Sequence, residues 1–348
     1  GDLRELCERE LEDERSQPIA VAAQGMERVL LLTLIGHDSC ESERELAELE
    51  GLVRSAGGQP VAVMSQKSGS TNPQTLWGKG KLQEAALEVR RNGASLVITD
   101  RELTPVQARN IERFVNCPVS DRSELILDIF AQHAQSSDGK LQVELAQLRY
   151  RLPRMVGRGT MMSRLAGGIG GRGPGESKLE IDRRRAQSRI TELERRLANM
   201  QKRRNQRRAQ RRRANVPVVA IVGYTNAGKS TLLNTVTQSE VRAENLLFAT
   251  LDPTVRRVRF PREREIVMLD TVGFIRDLPP ALMQAFGATL EEVSCADLLL
   301  HVVDLTDPDQ TSQIQTVEQI LAELDASDIP RFIVFNKCDA LGDAAQSR

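Results

Sequence analysis

Aromatic residues are scarce in this protein. Phe, Trp and Tyr make up 3% of its 348 residues, and none of them lies between residues 178 and 213, where arginine is concentrated. Proteins that bind single-stranded nucleic acid stack the bases on aromatic rings, so this composition argues against that mode of binding for the arginine-rich stretch. Contacts with phosphates and with the shape of a double helix need no aromatic rings and stay open.

Long apolar runs and closely spaced cysteines are also absent. The longest apolar run, around residues 29–35, is far shorter than the about 20 residues that cross a membrane. The cysteines lack the spacing of a metal site, which favours free thiols in a reducing compartment. They are Cys7, Cys40, Cys117, Cys295 and Cys338. Residues 1–15 hold seven acids and three arginines, unlike a transit peptide; because the chain opens on Gly1, we expect its natural start to lie upstream.

The length and a charged content of 28% predict a globular chain of two or three domains. Its first part alternates between short apolar runs, typical of strands, and amphipathic segments, typical of helices. The strand-like runs are 28–36, 60–65, 95–99 and 117–120, and the helical segments are 42–57, 79–93 and 104–115. This alternation predicts a small parallel sheet with helices on its faces.

Two later segments have apolar residues at alternating intervals of four and three, the pattern of a coiled-coil seam. These residues are Leu141, Leu145, Leu148, Leu152 and Met155 in the first segment, and Ala186, Ile190, Leu193, Leu197 and Met200 in the second. Matching seams predict an antiparallel helical hairpin. Pro153, Gly157 and Gly159 should kink or loosen the first helix near its end.

Basic residues are concentrated on the second of these helices. Residues 178–213 carry 15 Arg or Lys and 4 Asp or Glu, a net charge of +11, although the whole chain is neutral. No acid occurs between residues 195 and 213, so the arginines from Arg203 onward have no i,i+4 partner. A solvated helix face is the alternative, but the unrelieved charge favours nucleic acid as a partner. We expect RNA contacts from Arg203, Arg204, Arg207, Arg208, Arg211, Arg212 and Arg213.

A glycine-rich tip, GGIGGRGPGES at residues 167–177, connects the two helices. Gly170 and Gly175 have the separation of a phosphate-binding loop, but Glu176 stands where such a loop needs lysine and would repel phosphate. A structural turn would need only two or three residues. The longer tip indicates that its glycines let the backbone approach a crowded surface and that Arg172 contacts phosphate.

The strongest motif follows Pro217. An apolar strand runs into Gly223-x-x-x-x-Gly228-Lys229-Ser230 and then into a helical segment, which is the order of a P-loop. Backbone amides would bind the β-phosphate, Lys229 would bridge the β- and γ-phosphates, and Ser230 would bind Mg²⁺. The expected nucleotide contacts here are Gly223, Tyr224, Thr225, Asn226, Ala227, Gly228, Lys229, Ser230 and Thr231.

Two tetrapeptides, each after an apolar strand, identify the nucleotide. They are Asp270-Thr271-Val272-Gly273 and Asn336-Lys337-Cys338-Asp339. Asp270 would reach Mg²⁺ through water, and the Gly273 amide would contact the γ-phosphate. The Asp339 carboxylate can accept both N1–H and N2–H of guanine, and adenine offers no such pair. Alone, each tetrapeptide would be a surface turn; in this order after a P-loop, they predict a Mg²⁺-dependent GTP hydrolase.

Residues 246–258 lie where a first switch is expected, with Thr250 and Thr254 as candidate Mg²⁺ ligands. Phe274 stands where many small GTPases have a glutamine that orients water. Because a phenyl ring cannot orient water, we expect slow intrinsic hydrolysis that is accelerated from outside. Asn226 resembles an asparagine that helps to hold K⁺ in some GTPases with the same substitution; a plain loop residue is the alternative.

Four segments resemble the HflX family of translational GTPases: residues 121–148, 167–177, 223–231 and 247–254. The first two are specific to that family. The resemblance implies an N-terminal α/β subdomain, a helical hairpin with a glycine-rich tip, and a doubly wound P-loop GTPase domain. The expected boundaries are an extension at 1–27, then 28–135, 136–214 and 215–348. The resemblance also selects Thr250 over Thr254 and implies nucleotide contacts from Phe248, Ala249, Thr250, Leu251 and Asp252.

The resemblance further implies a cytoplasmic monomer that binds the large ribosomal subunit and its RNA and splits or rescues stalled ribosomes under stress. GTP would order the switches around Thr250 and Gly273, and hydrolysis would release the ribosome. An RNA-binding or remodelling protein that uses its GTPase domain mainly for docking is the alternative. A tRNA-modifying GTPase would share Asn226, but no cysteine stands in the context of a nucleophile. Some family members bind ATP through the N-terminal part, where this chain has no phosphate-binding motif.

The C-terminal end departs from the pattern of this GTPase class. Nine residues follow Asp339, whereas a further strand and a guanine-contacting loop are usual. Either the chain is a fragment or its guanine pocket is incomplete, and we expect weakened nucleotide affinity.

Overall fold

A computed structural model gives the structure of the protein. The residues described are 26–36, 38–67, 69, 71–155, 178–213, 216–237, 247–248, 254–260, 264–276, 278, 283, 290 and 292–341. Among these residues, the structure contains no helix with the length and apolar character needed to cross a membrane.

The first sheet is wholly parallel and has the strand order β2-β1-β3-β4. Its strands are β1 (Glu27–Ile35), β2 (Gly58–Lys67), β3 (Leu96–Thr99) and β4 (Val119–Asp121). Its helices are α1 (Ser39–Ser55), α2 (Lys79–Asn92), α3 (Pro105–Val115) and α4 (Arg122–His133). Because the chain leaves β1 in one direction to reach β2 and then crosses back to β3, right-handed connections put helices on both faces.

Strand β1 is apolar on both faces because helices cover both. Val29 and Leu31 pack in one cluster with residues of α1 and α4, whereas Leu30 and Leu32 pack in another with residues of α2 and α3. A parallel strand buried in this way has a continuous apolar sequence instead of an alternating one. The predicted parallel α/β arrangement is confirmed.

Helices α5 (Ser137–Met155) and α6 (Lys178–Arg213) form the hairpin. Leu145, Ile190 and Leu193 are buried between them, with the outer seam leucines partly buried. Ion pairs run from Asp138 to Arg204 at 2.6 Å and from Glu194 to Arg149 at 2.8 Å. The partner residue number falls as α5 advances, so the helices are antiparallel, as predicted. Helix α5 ends two residues after Pro153, and the glycine-rich tip lies outside the described residues.

A buried carboxylate attaches the hairpin to the first sheet. Asp121 is 0% exposed and caps α4, with Oδ1 accepting from the Glu124 amide at 3.0 Å. It also accepts from the Tyr150 hydroxyl at 2.5 Å and from Arg154 at 2.6 Å, both on α5. The Arg154 guanidinium in turn lies 4.0 Å from the centre of the Tyr150 ring.

The second sheet has the order β6-β7-β5-β8-β9, parallel except for the antiparallel pair β6 and β7. Its strands are β5 (Val218–Gly223), β6 (Thr254–Phe260), β7 (Arg264–Asp270), β8 (Leu298–Asp304) and β9 (Arg331–Asn336). Helices α7 (Lys229–Thr237) and α8 (Gln310–Glu323) and a short 3-10 helix at Cys338–Ala340 accompany them. The parallel strands β5, β7 and β9 end at one edge, which therefore gathers the three predicted motifs.

Candidate nucleotide-binding site

The P-loop connects the end of β5 to the start of α7, and a glycine is required at its end. Gly228 has φ +94°, and a Cβ atom there would lie 2.1 Å from Asn336 Nδ2. That amide nitrogen donates to the Ala227 carbonyl at 2.9 Å. The contact joins the end of β9 to the P-loop, so the phosphate-binding and base-binding motifs share one edge.

Lys229 is buried at the start of α7, and its ammonium donates to the Tyr224 carbonyl at 2.7 Å. Burial lowers the pKa of Lys229 to about 8, and the negative charge of Asp270 opposes that shift. A cation buried in this way gains strongly from an anion placed beside it. The position therefore suits the predicted contact with the β- and γ-phosphates.

Two predicted Mg²⁺-binding residues lie in contact. The Ser230 hydroxyl donates to Asp270 Oδ2 at 2.7 Å, although the residues are 40 positions apart. Mg²⁺ prefers hydroxyl, carboxylate and water oxygens, so this donor pair fits the ion. Thr250, the third predicted ligand, lies outside the described residues, as do Ala249, Leu251 and Asp252.

The loop after β7 lies directly against the P-loop. The Thr271 hydroxyl donates to the Ile221 carbonyl at 2.7 Å, and Val272 is buried. A Cβ atom on Gly273 would lie 3.1 Å from Lys229 Nζ and 2.9 Å from the Cα atom of Thr225. Gly273 therefore stands beside the ammonium that is expected to hold the γ-phosphate.

Phe274 contacts the P-loop through its backbone. Its amide donates to the Gly223 carbonyl at 3.1 Å, and its carbonyl accepts from the Thr225 amide at 2.8 Å. The ring is 1% exposed and packs in the apolar core. A side chain buried in this way does not orient water, in agreement with the expectation from its chemistry.

The guanine motif follows β9. Lys337 has φ +60° and forms a 2.6 Å ion pair with Asp304, the last residue of β8. Burial opposes ionisation of Asp304, but hydrogen bonds from Lys337 and Thr306 outweigh it and hold the pKa of that carboxyl below its ordinary value. Cys338 and Asp339 are exposed in the short 3-10 helix, so the Asp339 carboxylate is open to a base. The sequence analysis did not predict that Asp304 holds Lys337. An acid at the end of an otherwise apolar strand could have indicated such a contact.

Leu247 and Phe248, in the segment predicted to contain the first switch, contact helices of the first sheet. The Leu247 amide donates to Ser55 Oγ at 2.9 Å, and the buried ring of Phe248 lies 4.6 Å from that of Phe130, between ring centres. Phe248 has φ +61°. The structure therefore puts the Phe248 side chain against helix α4, two residues before Thr250; its predicted nucleotide contact stays a prediction.

Of the predicted RNA-binding arginines, Arg203 is exposed, whereas the half-buried Arg204 pairs with Asp138 across the hairpin. Arg207, Arg208, Arg211, Arg212 and Arg213 belong to α6, but their side chains, like Arg172, lie outside the described residues. Three further arginines, Arg183, Arg184 and Arg185, are exposed at the other end of α6. Sequence reasoning had counted their charge without assigning them a contact.

Three family models match successive parts of the chain. The model described as GTP-binding GTPase N-terminal matches residues 43–131, and the GTP-binding GTPase Middle Region matches residues 133–211. The model described as 50S ribosome-binding GTPase matches residues 218–337.

Similar proteins share sequence and fold with this chain. The GTPase HflX of Caldanaerobacter subterraneus subsp. tengcongensis is 51% identical over 319 residues, which cover 92% of this chain and 74% of that protein. The GTPase HflX of Escherichia coli K12 is 50% identical over 299 residues, 86% of this chain and 70% of that protein. A crystal structure of the complex of SsGBP with GDP gives a TM-score of 0.52 at 28% identity, covering 92% of this chain and 86% of that one.

Proposed function

This chain belongs to the HflX family of GTPases, and from that premise we propose that it binds the large ribosomal subunit and splits or rescues stalled ribosomes. It is a GTP hydrolase that binds GTP and GDP. Its turnover is stimulated by the ribosome, and it acts as a monomer in the cytoplasm. The parts that cooperate are residues 28–135, the hairpin at 136–214 and the GTPase part from 215 onward.

One observation carries the ribosomal part of the proposal. The basic hairpin, with net charge +11 over residues 178–213, is joined through buried Asp121 to the same helices that the first switch contacts. Exposed arginines on α6 suit RNA phosphates, and the match to a 50S ribosome-binding GTPase supports an RNA of the large subunit. Through the switches, the bound nucleotide sets how the hairpin and its glycine-rich tip are presented.

The residues of the GTPase part have separate roles in this proposal. Lys229 and the P-loop amides hold the phosphates, Asp339 recognises guanine, and Gly273 contacts the γ-phosphate. Ser230, Thr250 and, through water, Asp270 would hold Mg²⁺, which neutralises charge on the phosphate oxygens when it is bound. Because Phe274 cannot orient water, the remaining catalytic help comes from a ribosomal surface.

The test is GTP turnover in K⁺ buffer by the chain alone, with purified large subunits, and with an equal mass of naked duplex RNA. We expect stimulation by subunits and not by RNA, and loss of it in Lys229→Ala with ribosome binding retained. If subunits do not stimulate turnover, the proposal is wrong.

The alternative of an RNA-binding or remodelling protein also rests on an observation, the exposed Arg183, Arg184 and Arg185. If the basic helix responds to phosphates in general, duplex RNA will stimulate turnover as strongly as subunits do. Ribosome dissociation that proceeds equally in Lys229→Ala would likewise support this alternative over the first.

A further inference from the structure

Side chains from two distant parts of the chain hold the backbone of Arg276, three residues after Gly273. The Arg276 amide donates to the Tyr224 hydroxyl at 3.1 Å. The Arg276 carbonyl accepts from Arg122 Nη2 at 2.8 Å. Tyr224 belongs to the P-loop and Arg122 is the first residue of α4. The backbone amide and the backbone carbonyl of Arg276 are therefore both hydrogen-bonded to side chains that are distant in sequence.

Glu48 of α1 joins these two side chains. Its carboxylate accepts from the Tyr224 hydroxyl at 2.5 Å and from Arg122 in a short ion pair. Tyr224 and Arg122 are 7% and 8% exposed, so the contacts are shielded from water. Burial and the charge of Glu48 raise the pKa of Tyr224 well above its ordinary value, which keeps the hydroxyl a hydrogen-bond donor.

The Arg276 side chain adds contacts of its own with both parts of the chain. Its guanidinium donates to Asp309 at 2.9 Å, ahead of α8, and lies 3.8 Å from Glu45 of α1. Asp309 also pairs with Arg44 of α1 at 2.9 Å. The segment that follows Gly273 is therefore held at its backbone and at its side chain.

We propose that Tyr224, Glu48 and Arg122 are positioning residues for GTP hydrolysis, which fix Arg276 and thereby place the Gly273 amide against the γ-phosphate. The first sheet's helices are then part of the hydrolytic machinery, since Glu48 and Arg122 come from them. The inference rests on the proposed contact between Gly273 and the γ-phosphate.

The geometry favours positioning over simple attachment of the two sheets. Apolar contacts could hold these parts of the chain together, as the contact between Phe130 and Phe248 does. Here, buried polar side chains hydrogen-bond to the backbone amide and carbonyl of Arg276. One of these side chains, Tyr224, belongs to the P-loop itself. A short path thus connects the phosphate-binding loop, Arg276 and Gly273, through Phe274, whose backbone pairs with the P-loop.

Tyr224→Phe is the variant that tests this role, because it removes one hydroxyl and keeps the buried ring. The Gly273 amide contacts only a triphosphate, so affinity for the β,γ-imido analogue of GTP should fall about three- to tenfold, the range expected for one hydrogen bond. Affinity for GDP should stay within twofold, and kcat with large subunits should fall while KM changes less. Hydrogen exchange at the Arg276 amide should accelerate in the same variant.

Tyr150→Phe provides a matched control. Tyr150, the other tyrosine of the chain, also donates to a carboxylate at 2.5 Å, but it does so at the junction of α5 with the first sheet. This control should leave the ratio of the two nucleotide affinities unchanged. Glu48→Gln is the second variant, and the loss in the double variant should be smaller than the sum of the two single losses, because both changes act on the Tyr224–Glu48 hydrogen bond while Glu48→Gln also weakens the pair with Arg122.

The inference is overturned if Tyr224→Phe weakens GDP and the triphosphate analogue equally, since that would indicate a general role in P-loop structure. Unchanged affinity and turnover would also overturn it. Failure of wild-type protein to respond to large subunits would count against the proposed function instead, because the ratio of analogue to GDP affinity needs no ribosome.

Discussion

Lys229 has a buried ammonium at the position expected to contact the phosphates. Its pKa of about 8 results from burial, with Asp270 only partly opposing the shift. Triphosphate beside the ammonium would favour the charged form and raise that pKa. The charge state of this residue should therefore differ between free and nucleotide-bound protein in mildly alkaline solution.

GTP binding should take up nearly one proton at about pH 9 and almost none at about pH 6.5, because Lys229 is mostly neutral in the free protein only above about pH 8. By the same linkage, affinity for GTP should fall as pH rises through 8 and beyond. Calorimetry in buffers of different ionisation enthalpy measures the uptake. Lys229→Arg is the control, since arginine keeps its charge at pH 9 and should take up no proton. No uptake by wild type would contradict the assigned pKa.

Asn226 is exposed in the P-loop with φ +60°, beside the residues expected to hold phosphates. If it helps to bind K⁺, replacing K⁺ by Na⁺ should slow GTP hydrolysis at least several-fold, and Asn226→Ala should be slow in both salts. Turnover that is the same in the two salts would leave Asn226 as a plain loop residue. Binding of GDP in each salt separates an effect on hydrolysis from one on affinity.

The hairpin depends on a narrow apolar seam between two otherwise polar helices. Leu193 is 0% exposed at the centre of this seam, whereas Leu197, one turn further on, is half-buried. The ion pairs nearest to them, Arg149–Glu194 and Arg189–Glu144, are partly exposed, so they add little to stability and mainly favour the observed register. Most of the free energy that holds α6 against α5 should therefore come from a few leucines.

Leu193→Ala should lower the free energy of unfolding of the hairpin by about 2–5 kcal/mol, the usual loss when a buried leucine leaves a cavity. Leu197→Ala, the matched control, should cost clearly less because its side chain is partly exposed. Hydrogen exchange along α5 and α6 measures both. Equal losses for the two variants would show that the seam is not centred at Leu193.

Charge is distributed unevenly along the neutral chain, with +11 on residues 178–213. When a cationic surface of this kind binds RNA, counterions are released from the RNA phosphates, so the affinity falls as the salt concentration rises. The exposed Arg183, Arg184 and Arg185 stand at the tip-proximal end of α6. They are the described residues best suited to test whether the hairpin meets RNA.

Replacing Arg183, Arg184 and Arg185 with alanine should weaken binding to large subunits and reduce the slope of log Kd against log salt by about 2–3, close to one unit for each lost phosphate contact. Co-sedimentation at several K⁺ concentrations measures the slope. Alanine at the exposed Arg54, Lys79 and Arg91, on α1 and α2, is a charge-matched control. An unchanged slope in the first variant would exclude these arginines from the interface.

The nucleotide motifs, the parallel sheets and the hairpin could be predicted from sequence because each depends on neighbours in the chain. Gly228, Lys229 and Ser230 belong to one loop, and the seam leucines recur within one helix. The alternation of apolar runs with helical segments can likewise be recognised from residues close in sequence, and it predicts a parallel sheet. The bounds of the predicted strands consequently differ from the observed ones by only a few residues.

Contacts between distant parts of the chain were decided only by tertiary structure. Glu48 and Tyr224 are 176 residues apart, and Arg122 and Arg276 are 154 apart, so no local pattern joins them. The same holds for Asp304 with Lys337 and for Phe130 with Phe248. A sequence alone states which motifs are present, but a buried hydrogen bond needs both partners brought within about 3 Å, and only the packing of the two sheets does that.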